Sequence, residues 1–116
     1  MAIDVQRELP TPESIELLDL VRQIARTDLA PVASQYEADG QFPREVFRKL
    51  GDVGLLGLPY PTALGGADQP FTVYLQVIEE LASAWLSVAL GVSVHTLSGL
   101  HAGHDRWLAF RGLLSV

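Results

Sequence analysis

The stretch GLPYPTALGG at residues 57–66, with Glu79-Glu80-Leu81-Ala82 after a short gap, decides how this chain reads. A compact Pro/Gly loop gives way to a long segment, Phe71–Leu97, that is nearly free of charge beyond its paired carboxylates. Residues 54–70 hold four glycines and three prolines and read as irregular connection. From Phe71, apolar residues recur at helical spacing: Val73, Tyr74, Val77, Ile78, Leu81 and Ala82. Trp85–Leu97 is apolar almost all round, the pattern of a central helix. A break near Ala84–Leu86 would make two helices of this stretch.

Upstream, Thr11-Pro12-Glu13 is a helix start, with an N-cap threonine, proline in the first turn and an acid beside it. Leu17, Leu20, Val21 and Ile24 follow at helical spacing. Pro31 should end or kink this helix near Leu29, with Val32–Asp39 continuing as a second segment and Gly40 stopping it. A third helix is expected from Pro43, with Val46, Phe47, Leu50 and Val53 inward, and a short final one over Asp105–Leu114. No alternating strand pattern of useful length occurs. The expectation is an all-α, up-and-down bundle of four to six helices. Residues 1–10 read as a flexible leader and 11–116 as one helical domain.

Composition narrows function. The 116 residues carry a net charge of −6, and only eight are Lys or Arg, scattered along the chain, which speaks against nucleic-acid binding. No cysteine is present, which excludes thiol nucleophiles and Cys-ligated metals. Neither a secretory signal nor a membrane partner is expected: Leu81–Gly103 has no Asp, Glu, Lys or Arg, but seven Ser, Thr or His residues and Gly91 interrupt its apolar run. The absence of cysteine is compatible with a cytoplasmic location. The hydrophobic content of 48% and mean hydropathy of +0.22 imply either an unusually apolar core or apolar surface meant for a partner.

Three pieces in order carry a resemblance. Phe42-Pro43 with Leu50-Gly51, then Gly57-Leu58-Pro59 with Pro61 and Gly65-Gly66, then Glu79-Glu80-Leu81-Ala82 resemble the N-terminal α-helical domain of the acyl-CoA dehydrogenase family over residues 11–98. Residues 98–116 diverge from the family pattern. The resemblance implies a flavoprotein oxidoreductase of fatty acid metabolism, using FAD to dehydrogenate acyl-CoA at its α,β carbons. It also implies that the flavin segments and the catalytic base lie in domains other than this one. The chain alone is therefore expected to bind no FAD and to be inactive, meeting acyl-CoA only if complemented. An alternative is a non-catalytic helical interaction module, a homo-oligomer or a heteromer with a full-length acyl-CoA dehydrogenase.

Site residues follow the same division. No catalytic, cofactor-binding or metal residue is assigned within the chain. Neighbouring residues on a helix point about 100° apart, so Glu79 and Glu80 cannot easily converge on one substrate atom, and one of them is expected to pair inside the fold. His95, His101 and His104 lack the spacing of a zinc or triad site. Gly65-Gly66 reads as a turn permitting positive φ, and Trp85 and Trp107 as core or interface anchors. The family holds its acyl chain against the central helix of this domain, which implies Ala89, Leu90, Val92, Ser93 and Leu97 as acyl-tunnel candidates. Plain helix-packing residues are the other reading of the same positions.

Overall fold

The computed structural model describes residues 7–102, with side chains described through Ser98. The expected helix over Asp105–Leu114, Trp107 and the histidines at 101 and 104 lie outside the described residues or side chains. Five α-helices make up the described fold: α1 (Pro12–Ile24), α2 (Ala30–Asp39), α3 (Arg44–Asp52), α4 (Phe71–Ala84) and α5 (Leu86–Ala102). No strand occurs among the described residues, so the all-α bundle is observed. No helix among them is long and apolar enough to cross a membrane.

The helix boundaries have local causes. Thr11 caps α1 through its hydroxyl, which accepts from Ser14 N at 3.1 Å, while the Ser14 hydroxyl accepts from Thr11 N at 3.1 Å. At Pro31 the chain does not break. A π-helical turn, Ala25–Leu29, joins α1 to α2 without interruption. Proline has no N–H to continue the ladder, and one widened turn shifts the register there instead of ending the helix. Gly40 stops α2 at φ +64°, the left-handed conformation that favours glycine.

The two glycines of the 57–66 loop do different work. Gly65 sits at φ +83° and closes a short 3-10 turn. Gly66 does not have positive φ; it is there because a Cβ would collide with the backbone carbonyl of Tyr60. The close approach lets Asp68 N donate to Tyr60 O at 2.8 Å and Gln69 N to Leu58 O at 2.9 Å, folding the loop back on itself before α4 begins.

The core sits between α4 and the elements around it. Leu18, Val21 and Leu29 meet Leu50, Leu55 and Leu58, and Val77, Leu81, Val88 and Val92 complete the cluster. Burial of each such side chain contributes about 1.5–3 kcal/mol. Between α4 and α5, Trp85 breaks the helix with extended backbone (φ −160°, ψ 98°), so the apolar run is two helices. Its buried indole donates to Glu37 Oε1 at 2.8 Å.

One buried carboxylate ties three segments together. Glu80 accepts from Arg7 Nη2 and from Arg22 Nε, both at 3.0 Å. Its neighbour Glu79 points outward, 61% exposed, and among the described residues meets only Arg7. The leader is thus bound at its described end: Arg7 is buried against α4, and Glu8 exchanges two 2.9 Å hydrogen bonds with the Gln76 side chain. Replacing Glu80 by alanine would leave Arg7 buried without that counter-charge. We expect Glu80→Ala to cost about 3 kcal/mol in urea unfolding, with Glu79→Ala within about 0.5 kcal/mol of the parent.

Candidate functional site

Helix α5 divides into two faces. Val88, Ala89, Val92, His95 and Thr96 are buried toward α4 and the 55–60 loop. Leu86, Leu90, Val94 and Leu97 are each more than half exposed and form a stripe on the other side. The five tunnel candidates therefore do not share one surface. Ala89 and Val92 belong to the core, Leu90 and Leu97 to the outer stripe, and Ser93 stands half-buried at the edge, its hydroxyl donating to Ala89 O at 3.0 Å. Four large aliphatic side chains on one uncharged helix face are unusual for a surface left to water.

Behind that face lies a buried polar layer. The Tyr60 hydroxyl donates to Thr96 O at 2.6 Å, fixing the 57–66 loop to α5. Burial, with Tyr74 nearby, pushes the Tyr60 phenol up to about 12, so it is a donor at any physiological pH. Tyr74 Oη and Thr96 Oγ1 are buried with no hydrogen-bond partner among the described residues. His95 is 3% exposed, and burial lowers its pKa to about 4, so its imidazole is neutral at pH 7. No group of three His, Cys, Asp or Glu side chains gathers as a metal site among the described residues. Glu80 is committed to its arginines, which removes it from acid–base work.

Residues 11–105 match the N-terminal domain family of the acyl-CoA dehydrogenases. The chain belongs to the acyl-CoA dehydrogenase family. The match runs past Leu97, so family likeness extends to Asp105, further than residues 11–98. Among its relatives, an acyl-CoA dehydrogenase of Bacillus subtilis is 35% identical over 89 residues, covering 77% of this chain and 24% of that protein. The human mitochondrial short-chain specific acyl-CoA dehydrogenase is 33% identical over 88 residues, 76% of this chain and 21% of the relative. A short-chain specific enzyme of Clostridium acetobutylicum is 29% identical over 86 residues, 74% of this chain and 23% of the relative. The chain spans about a quarter of the length of these relatives.

The family is FAD-dependent, and the groove beside Trp85 is not suited to the flavin's pyrophosphate. The groove beside Trp85 encloses about 430 Å³, and its only charged lining group is the Glu37 carboxylate, which repels a pyrophosphate. In the 57–66 loop the backbone N–H groups of Tyr60, Leu64, Gly65 and Gly66 are spent on the loop's own carbonyls.

Sequence reasoning separated Glu79 from Glu80 in principle, but not which of them turns inward. It also missed Tyr60 and the Glu37–Trp85 bond, whose partners lie 36 and 48 residues away. Tyrosine inside a Pro/Gly loop was the one available signal.

The neutral His95 makes stability depend on pH. The unfolded chain binds a proton near pH 6.5 and the folded one only near 4, so stability is fully present above about 6.5 and lost as pH falls toward 4. We expect His95→Leu to remove roughly 2–3 kcal/mol of the acid-side loss relative to the parent chain, read by urea unfolding at pH 7 and 4.5.

Proposed function

We propose that this chain supplies the N-terminal helical wall of an FAD-dependent acyl-CoA dehydrogenase, with the outer face of α5 against the substrate's acyl chain. The observation carrying this reading is the uncharged stripe Leu86, Leu90, Val94 and Leu97, exposed on the central helix of a domain that matches the family over residues 11–105. An aliphatic tail leaving water for such a face gains about 0.8 kcal/mol per methylene. Leu90, Ser93 and Leu97 are the contact residues in this assignment. Ala89 and Val92 act from behind, setting the helix against the core.

The stripe is built of bulky side chains, which leaves little depth for a long tail. The human and Clostridium acetobutylicum relatives are described as short-chain specific. We accordingly assign a short acyl-CoA thioester as substrate. When bound, the flavin supplies the hydride acceptor for β-carbon oxidation; these residues position the acyl chain and exclude water from it. The α-proton base is not among them, because the one buried carboxylate of the described residues is held by two arginines. On their own, these 116 residues neither retain flavin nor oxidise acyl-CoA.

Two experiments test this. Size-exclusion chromatography of the 116-residue chain with FAD, followed at 280 and 450 nm with light scattering, should give a colourless peak; a yellow peak of fixed stoichiometry would overturn the flavin assignment. Residues 11–105 should also replace the corresponding domain of the Bacillus subtilis relative and leave a flavin-loaded enzyme. In that chimera, Leu90→Trp and Leu97→Trp should lower kcat/KM for the longest accepted acyl-CoA by about tenfold. A folded, flavin-loaded chimera indifferent to both substitutions at every chain length would sink the α5 wall.

A further inference from the structure

The groove between the end of α2, the start of α3 and the N-terminus of α5 lies apart from the acyl face and has a different chemistry. It encloses about 430 Å³ and is lined by the rings of Tyr36, Phe42, Phe47 and Trp85, with Glu37 at one side and Gly91 in α5. The rings come as two pairs. Tyr36 and Trp85 tilt together with centroids 5.6 Å apart, and Phe42 and Phe47 stack in parallel at 5.3 Å with only 5° between their planes. Neither Lys nor Arg lines it.

Glu37 is oriented as well as charged. Its Oε1 accepts from Trp85 Nε1 at 2.8 Å, and hydrogen bonds from Trp85 and Ser87 hold its carboxyl below the usual range. A carboxylate has room for about four hydrogen bonds, so acceptor capacity remains on the groove side. Gly91 lets the groove floor close: a Cβ there would stand 2.5 Å from Phe47 Cζ, so the Phe47 ring packs directly on α5. Ring faces around an ionised carboxylate attract an organic cation. The open face of Phe42, which is 62% exposed and backed by Phe47, favours a planar guanidinium over a compact ammonium. The chain already shows this preference at the rim, where the Arg44 guanidinium carbon lies 6.0 Å from the Phe42 centroid.

We infer that this groove docks an arginine side chain presented by a separate polypeptide, stacked on the exposed Phe42 ring and hydrogen-bonded to Glu37. The open volume exceeds one guanidinium and accommodates the residues flanking it. The net charge of −6 draws a basic segment toward this protein. The assignment is independent of the acyl-CoA reading, since it uses neither the outer stripe nor the flavin.

The test is a fluorescence titration of the 116-residue chain in a Trp107→Phe background, where Trp85 is the sole indole. The peptide acetyl-Gly-Arg-Gly-amide should change Trp85 emission saturably, with a roughly millimolar midpoint. The lysine analogue should bind about fivefold more weakly. Glu37→Gln, which keeps an acceptor for the indole, should weaken the arginine peptide about tenfold. Phe42→Ala removes an exposed ring and serves as the second variant, with circular dichroism confirming that each is folded. No saturable change, or equal responses to arginine, lysine and alanine peptides, would overturn the assignment, as would unchanged binding in both folded variants.

Discussion

The buried Glu80 carboxylate is the interaction on which the arrangement of this domain depends. A carboxylate only 5% exposed is tolerable in an apolar interior when its oxygens are met by cations and hydrogen bonds. Arg7 arrives from the segment before α1 and Arg22 from the last turn of α1, so one side chain of α4 fixes two other segments. Burial works against the charged Arg7, but its hydrogen bonds to Glu79 and Glu80 outweigh this and raise its pKa. With α1 anchored to α4, Leu18, Val21 and Ile24 are delivered into the core in register.

The second fixed point is Trp85. Its extended backbone ends α4 and its indole is held by Glu37 of α2. Helix α5 has no acid in its first turn. Glu37, held by the Trp85 indole beside Ser87, brings a negative charge from another helix to the end where a helix dipole favours one. The same residue therefore orients α5 and supplies the charge of the aromatic groove. Fixing α5 at this end, and at Thr96 through Tyr60, holds one face in the core and turns the other outward.

That two-faced helix reconciles the two readings of its residues. Ala89 and Val92 are packing residues, and Leu90 and Leu97 are available to a ligand or to further protein. Both descriptions hold, at positions one residue apart, because successive helix positions point about 100° apart. An almost uncharged sequence carries no amphipathic signal to show where the boundary falls.

The sequence by itself determined the helical class, the capped start at Thr11, the stop at Gly40, the Pro/Gly loop and the family. Each rests on local rules: capping, φ preference, periodicity and motif spacing act within a few residues. It also indicated that the paired glutamates would part company, since adjacent helix positions diverge. Only the tertiary structure decided which glutamate turned inward, that Arg7 was bound rather than loose, and that Pro31 was absorbed by a π turn. It alone brought Glu37 to Trp85 and Tyr60 to Thr96. Apart from the π turn, which answers the missing N–H of Pro31 locally, these depend on contacts between residues 36 to 73 positions apart, where packing and the cost of burying charge choose among local options of nearly equal energy.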